Sequence, residues 1–484
     1  MFSASSYAFE DNLRPVVDNT NEIVWGPFVI IPLILIVGVW LTATLGGIQF
    51  HKLGYGLYMG IIRRKEPVSE DGDISHYQSL SIALAATVGV GNIAGVGSAI
   101  AVGGPGALFW MWISGLIGMA TKYSEAVLGV KYRETNEKGL QTGGPMYYLS
   151  SGIKNHLGKI LAISFAIFGV IASFGIGNMV QSNSVAAAVE GQWDIAPAYT
   201  GLAVMVIAGA VILGGIKAIG RFSAALVPLM IVGYISAGLF VLVVNATDLP
   251  EAFQRIFADA FTGTAAAGGF LGAAILTVIR QGIARGMFSN EAGLGTGGIS
   301  SAAAKTDQPV RQGLVAMTQT FIDTIVVVTI TGLVIIVTGA WAFSDADGDG
   351  YDAAELTRQA FVAGLWDQTG AGIIVTIGLI VFALSTLIGW AYYGERCLER
   401  LFGFKASLAY RGIFVAMIYV GAVASLDLVW DISDTFNGLM ALPNLLGLLI
   451  LTPVIMRETK KFFSNPDWRM IPANKIKDKD ASKD

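Results

Sequence analysis

Eleven apolar stretches, each long enough to cross a bilayer, constrain this chain more than any other feature. A hydrocarbon core about 30 Å thick takes roughly 20 apolar residues of helix. Such stretches run over 27–47, 77–103, 107–130, 159–188, 198–217, 222–245, 266–304, 312–343, 370–394, 411–430 and 436–456. Composition agrees: of 484 residues, 54% are hydrophobic and 14% are charged, whereas a soluble chain carries about 25% charged residues. A soluble multidomain enzyme and a disordered chain are both excluded on that ground. Cys397 is the only cysteine, so no intrachain disulfide scaffold is available. A net charge of −4 without a basic patch argues against nucleic acid as a partner. There is no HExxH, GxSxG, P-loop or cysteine-rich metal set, and the polar segments are too short for a catalytic domain, so the chain does not read as an enzyme. What remains is an all-α polytopic membrane protein whose first partner is the lipid bilayer.

Basic residues orient the spans. With the N-terminus outside, the inside segments hold nearly all Lys and Arg, and the outside segments hold only Arg14, Arg255 and Arg358. Lys122, Arg280 and Arg285 lie within spans. The positive-inside rule therefore places the N-terminus outside and the C-terminus in the cytoplasm. The segment before Pro27 lacks a basic n-region and reads as an external polar piece, not a signal peptide. A plasma membrane location of the prokaryotic inner-membrane kind follows as the expectation.

Two spans are unlike the rest. The second contains Thr87-Val88-Gly89-Val90-Gly91-Asn92-Ile93-Ala94-Gly95-Val96-Gly97-Ser98. The seventh contains Gly286-Met287-Phe288-Ser289-Asn290-Glu291-Ala292-Gly293-Leu294-Gly295-Thr296-Gly297-Gly298. Each glycine costs a helix about 1 kcal/mol relative to Ala, so such density favours a break over close helix packing. Backbone freed at membrane depth must line a protein cavity, where it offers carbonyls to a cation and N–H groups to an anion. The two spans lie five apart, so they cross in opposite directions. That is an inverted repeat, spans 2–6 against 7–11, with one helix in front, and paired broken spans are the sequence pointer to a transporter site. Span nine adds two mid-membrane hydroxyls, Ser385 and Thr386, suited to a small hard cation or to bonding their own i−4 carbonyls.

These segments resemble the signatures of the alanine or glycine:cation symporter family, within the amino acid-polyamine-organocation superfamily. The resemblance rests on Gly91 to Val96, on Ala284 to Gly293 and on Ala304-Lys305-Thr306-Asp307-Gln308-Pro309-Val310-Arg311-Gln312-Gly313, and it runs from about residue 25 to 460. It implies sodium-coupled uptake of small neutral amino acids, alanine and glycine above all, by alternating access, and a leucine-transporter-type fold. By this likeness Ser385 and Thr386 take the place of a sodium-binding hydroxyl pair. Their backbone partners are Gly91 and Ala94 in one frame of the glycine motif, or Ala85 and Val88 in a second frame. Phe288-Ser289 takes the place of an aromatic that closes over substrate followed by a hydroxyl residue.

The amino acid's carboxylate is then expected at Gly91 to Gly95, with Asn92 as a side-chain donor. Its ammonium is expected at carbonyls of Phe288, Ser289 and Asn290, beside the unwound Gly293. Phe288 and Trp390 would wall the side-chain pocket. Thr87, Asn178 and Gln181 are either polar contacts to substrate or bonds between helices. Lys122, Glu125, Arg280, Arg285, Glu291 and Asp323 are ionisable groups at membrane depth. The reading is mutual pairing, with Glu125 supporting the seventh-span break, against a proton relay that would make coupling proton-driven. A channel is the rival from another class, but its filter would repeat by oligomer symmetry, whereas this chain carries two unlike breaks. An external loop with Asp345, Asp347 and Asp349 resembles a calcium loop, although Glu355 falls one residue short of the twelfth position. External calcium there competes with a solvated acidic loop. The organisation reads as an external segment 1–26, an extra helix and basic loop 27–75, repeats 76–250 and 251–457, and a cytoplasmic tail 458–484. The sequence sets no oligomeric state.

Overall fold

Helix predominates in the described parts of the apolar stretches in the computed structural model, which describes residues 3–26, 28–64, 72–262, 271–343, 351, 353–365, 368–424 and 427–469. In chain order the helices are α1 Ser3–Val24, α2 Ile30–Thr44, α3 Ile48–Leu57, α4 His76–Thr87, α5 Val96–Gly103, α6 Ala107–Lys131, α7 Pro145–Gly152, α8 His156–Phe174, α9 Val180–Trp193 and α10 Pro197–Ile212. They continue as α11 Gly215–Val244, α12 Leu249–Thr262, α13 Leu271–Asn290, α14 Thr296–Ala302, α15 Pro309–Thr320, α16 Thr329–Val337, α17 Ala353–Leu365, α18 Gln368–Phe402, α19 Ala406–Val423 and α20 Asp427–Phe463. Among the described residues six helical runs are long and apolar enough to cross a membrane by themselves, and up to eight if each bent pair is one span. Of the other stretches, α10 has only 16 residues, α6 carries Lys122 and Glu125, and α13 carries Arg280 and Arg285. Leu229, Val243 and Val206 point outward from the bundle, as lipid contact requires.

The second and seventh stretches are interrupted. His76–Thr87 and Gly91–Gly103 meet at 54° across Val88 to Val90, and the chain resumes through a π-helical turn, Gly91–Gly95. In the seventh, α13 ends at Asn290 and α14 starts at Thr296. Between them Gly293 (φ 105°) and Gly295 (φ 85°) occupy the left-handed region that glycine adopts without strain. Glu291 (φ 56°) adopts it too, at a cost that its neighbours must offset.

Two uninterrupted helices frame the breaks. α18 runs 35 residues past the first, and α6 passes behind the second. On one side of the bundle the ends of the broken helices are tied together: Lys305 N–H donates to the Ile74 carbonyl at 2.7 Å, and Asp73 N–H to the Ala303 carbonyl at 2.8 Å. Arg133 donates to the carbonyls of Ala302, Ala304 and Thr306 at the same place. On the opposite side α17 rests on the first broken helix, with Thr357 Oγ1 donating to the Ile93 carbonyl at 2.9 Å. A cavity of about 410 Å³ opens there, lined by Ala94, Asn183, Gln192, Glu355, Arg358 and Trp430.

Candidate functional site

Glycine at 89 lets α18 touch the first break. A Cβ at Gly89 would lie 2.3 Å from Thr386 Oγ1. Across this contact Thr386 Oγ1 donates to the Ala85 carbonyl at 3.1 Å, besides its own Phe382 carbonyl at 3.1 Å. Ser385 Oγ donates to the Phe382 carbonyl at 2.7 Å and lies 3.5 Å from the Val88 carbonyl. Two hydroxyls and two carbonyls thus converge where α4 ends, and Ser385 and Thr386 are 1% and 3% exposed. A cluster of oxygen ligands suits a small hard ion.

A second convergence joins the two breaks. Asp323 lies in the π-helical stretch Phe321–Val328 between α15 and α16 and is fully buried. It accepts from Asn92 Nδ2 at 2.8 Å, Ser289 Oγ at 2.9 Å and Thr324 Oγ1 at 2.8 Å. Asn92 Oδ1 in turn accepts from Gly89 N–H at 2.9 Å, so it satisfies a backbone donor freed by the first break. Phe288 packs against the same segment: a Cβ at Gly91 would lie 3.0 Å from its ring.

The second break is held from α6 and α20. Glu125 Oε1 accepts from Gly293 N–H at 2.9 Å and Gly295 N–H at 3.0 Å, so the carboxylate replaces the lost helical acceptors. Asn444 Nδ2 donates to Glu125 and to the Gly293 carbonyl, while Tyr148 OH donates to Asn444 Oδ1. Lys122 Nζ donates to the Glu291 carbonyl at 3.1 Å and to Thr296 Oγ1 at 3.2 Å, placing a positive charge at the carbonyl end of α13. The Glu291 side chain accepts from Thr296 Oγ1 at 2.6 Å and from Trp390 Nε1 at 2.7 Å. Trp390 leans on Gly177, where a Cβ would meet its side chain at 2.5 Å.

Residues 10–475 match the sodium:alanine symporter family. The chain belongs to that family. It is 51% identical to the sodium/alanine symporter AgcS of Methanococcus maripaludis over 92% of this chain and 96% of that protein. It is also 35% identical to the probable sodium/glutamine symporter GlnT of Bacillus subtilis, over 93% of this chain and 91% of that one. The solved structure of MhsT in complex with L-phenylalanine has a TM-score of 0.54 at 13% identity, covering 82% of this chain and 99% of that chain. That likeness shows the fold, which is of the leucine-transporter type. This member of the sodium:alanine symporter family is therefore a membrane transporter and not an enzyme.

Within this symporter-family chain the residues singled out from sequence fall into three groups. Gly91, Asn92, Phe288 and Ser289 meet at the junction of the breaks, and Ser385 and Thr386 meet Ala85 and Val88. Among the described residues no hydrogen bond joins either hydroxyl to Gly91 or Ala94, and Ala94 lines the outer cavity instead. Asn290, Gly293 and Thr87 serve the backbone: Asn290 bonds Thr324 and the Ala292 N–H, Gly293 bonds Glu125, and Thr87 bonds its own Ala83 carbonyl. Gly95 sits in the π-helical turn with open space where a Cβ would be. One N–H of the Asn92 amide is committed to Asp323. Asn178 bonds the Phe414 carbonyl across helices. Gln181 donates to Ile176, but its Oε1 is buried without a hydrogen-bond partner and faces Gly89. Sequence reasoning named Asp323 only as an ionisable group and missed Asn444 and Thr324 altogether. No spacing rule signals them: Asn444 bonds Glu125 from 319 positions away, and Thr324 bonds Asn290 from 34 positions away besides its neighbour Asp323. Asp345, Asp347 and Asp349 lie outside the described residues.

Proposed function

We propose that the chain imports small neutral amino acids, alanine and glycine first, with sodium as the driving ion, its N-terminus outside and its C-terminus in the cytoplasm of a prokaryotic inner membrane. One observation carries the sodium reading: the hydroxyls of Ser385 and Thr386 face the carbonyls of Ala85 and Val88 where the first span breaks. Two α18 hydroxyls with two break carbonyls make a neutral oxygen cage. A cage without a fixed charge takes a monovalent ion and releases it when the helices part. Sodium entry gains about 2.3 kcal/mol per 100 mV of membrane potential, besides the concentration gradient.

The zwitterion lies between the breaks. Its carboxylate takes the N–H groups opening the helix at Gly91, where backbone donors and the helix dipole both favour an anion. Its ammonium takes carbonyls at the end of α13, from Phe288 to Asn290, and Gln181 Oε1 is a further acceptor awaiting a donor. The buried rings of Phe288 and Trp390 are the walls proposed for its side-chain pocket. The relatives fit this reading: one is a sodium/alanine symporter and another a probable sodium/glutamine symporter. Sodium on α4 and α18 fixes the broken bundle against its scaffold, and the amino acid closes the junction of the same bundle.

The test is alanine and glycine uptake into proteoliposomes under inward sodium, potassium, lithium or proton gradients. Concentrative uptake with sodium alone is expected. Replacing both Ser385 and Thr386 by Ala should weaken the sodium dependence; an unaltered sodium titration discards this cage. Uptake driven by protons without sodium would move the coupling to the buried carboxylates.

A further inference from the structure

We infer that the surface helix Ile48–Arg63 is a docking face for anionic phospholipid of the inner leaflet, and that lipid held there favours alanine uptake. The inference rests on the symporter reading and on the inside placement of this segment, but it uses no residue of the ion or amino acid site.

The chain turns sharply at the inner end of its first span. α2 ends at Thr44, and α3 with its π-helical continuation Tyr58–Arg63 departs from it at 81°. Gly46 (φ 63°) and Gly47 (φ 66°) form the elbow. Gln49 Nε2 locks it by donating to Thr42 Oγ1 at 2.9 Å and to the Leu116 carbonyl at 3.2 Å. α2 turns Ile36, Val39 and Trp40 to the lipid, so a helix nearly perpendicular to it lies close to the plane of the membrane surface. One stripe of that helix is apolar and open. Phe50, Tyr58 and Ile62, spaced by eight and four residues, share it, with Phe50 62% and Ile62 71% exposed. Such a stripe is satisfied between headgroups and acyl chains.

The far end of the stripe is basic. Arg63 and Arg64 close the helix, both exposed. Arg64 is engaged: its guanidinium lies 4.6 Å over the Tyr77 ring and its Nε donates to the Ile61 carbonyl at 2.7 Å. Tyr77 joins this end to α11, because its OH donates to the Ala224 carbonyl at 2.9 Å. About one turn before Ala224 stands Arg221, with Lys217 a further turn back on the same face, and both are exposed. Asp73, which feels the charge of Lys217, accepts the Gln141 N–H at 2.9 Å. Among the described residues Arg63, Lys217 and Arg221 have no carboxylate in ion-pair distance. Cations at the rim of an apolar stripe on the cytoplasmic side fit a phosphodiester headgroup whose acyl chains lie along the stripe.

The opposite face of the helix gives such a lipid a hold on transport. A Cβ at Gly56 would lie 2.8 Å from Thr318 Cγ2, and one at Gly60 2.8 Å from Leu80 Cδ2 and 3.2 Å from Val315 Cγ1. The helix therefore lies directly on α15 and α4. α4 leads into the first break, and α15 leads into the stretch Phe321–Val328. Trp468 covers a third side, edge-on to Tyr55 with ring centres 4.7 Å apart and with Lys52 Nζ 5.0 Å above it. A surface helix anchored by headgroups keeps α4 and α15 seated together, the arrangement in which the ligands of the proposed site converge. Anionic lipid thus stabilises the state that binds alanine, and it acts through that difference between states.

The experiment uses the full chain in phosphatidylcholine vesicles with a rising fraction of phosphatidylglycerol. Sodium-driven uptake is read at low alanine. Lipid contact is read from a bimane on F50C, quenched by either lipid brominated on its chains; Cys397, the only native cysteine, is buried. Uptake should rise with phosphatidylglycerol and saturate, and the brominated phosphatidylglycerol should quench more than the brominated phosphatidylcholine. R63Q/K217Q/R221Q removes three charges, each strengthening binding to an anionic surface roughly fivefold. It should lose both the rise and the excess quenching, while in detergent it unfolds at the wild-type temperature. Equal quenching by the two lipids overturns the headgroup site, and an unquenched bimane overturns the membrane placement in favour of a protein partner. A rise in uptake that survives in the triple variant places the lipid effect elsewhere and also overturns it. Excess quenching with uptake indifferent to phosphatidylglycerol overturns the link to transport. No sodium-driven uptake in any lipid overturns the symporter reading, and the quenching then still decides the lipid site.

Discussion

Replacing Glu125 tests whether the second break is held open by one carboxylate. Its Oε1 accepts from Gly293 N–H, Gly295 N–H and Asn444 Nδ2, all between 2.9 and 3.0 Å. In E125Q the acceptor remains but the charge is gone. Each bond then falls from the charge-assisted to the neutral range, a loss of about 1 kcal/mol apiece, or about 3 kcal/mol together. The new amide nitrogen takes the place of Oε2, which has no hydrogen-bond partner among the described residues, and a buried donor without an acceptor costs about 1–3 kcal/mol more. Relief of the carboxylate's desolvation works the other way by several kcal/mol. The net loss in E125Q is therefore about 2 kcal/mol. E125A gains the same relief but orphans three donors and leaves a void, which puts it at about 5 kcal/mol. Heat and denaturant unfolding of the purified protein should rank wild type, E125Q and E125A in that order, with alanine affinity falling alongside. Equal stability of E125A and E125Q would refute the reasoning, because the acceptor would then not matter.

Three other perturbations follow from the same geometry. In G177A the new Cβ would lie 2.5 Å from Trp390 and drive the indole off Glu291; uptake should fall at an overpacking cost of about 1–3 kcal/mol, while sodium still raises the unfolding temperature. N92A frees the Gly89 N–H and one oxygen of Asp323, so stability should drop by about 3 kcal/mol with weakened alanine binding; unchanged alanine affinity would remove Asn92 from the junction. R133A releases three carbonyls at the end of α14, and a cysteine reporter at Ala303 should become more reactive to a membrane-impermeant thiol reagent from the Arg133 side; unchanged labelling would show that Arg133 does not keep that side shut.

The helices and the breaks were legible because they are local. Apolar length marks a span, and Gly293 and Gly295 announce a backbone that leaves the right-handed region, as their φ values of 105° and 85° show. The wiring of the site was not legible. Asp323 and Asn92 are 231 positions apart, and nothing in either neighbourhood names the other. The choice between Gly91/Ala94 and Ala85/Val88 shows the limit most clearly. The glycine pattern fits both frames, and only the packing of α18 brings Thr386 against Gly89. π-helical stretches escaped for a related reason. One extra residue in the turn around Asp323 leaves the apolar period almost unchanged, yet it rotates the carboxylate toward the breaks.

The same wiring explains why a broken helix is worth its cost here. An intact helix through residues 88–90 would bond the Val88 carbonyl and the Asn92 N–H internally, leaving nothing for an ion. With the break, the Val88 carbonyl turns to α18 and the Gly89 N–H to Asn92. At the proposed site, ligand binding then substitutes for helical hydrogen bonds, and it does so only in the arrangement where α4 lies against α18 and α13 lies against the π-helical stretch Phe321–Val328. Coupling needs no wire between ion and amino acid. Each stabilises the one arrangement in which both sets of ligands converge, so each raises the other's affinity by the same factor. Between α4 and α18 themselves, the hydroxyls of Thr386 and Ser385 reach the carbonyls of Ala85 and Val88 at 3.1 and 3.5 Å. Those contacts are long enough for the bundle to part from the scaffold, as release on the far side demands.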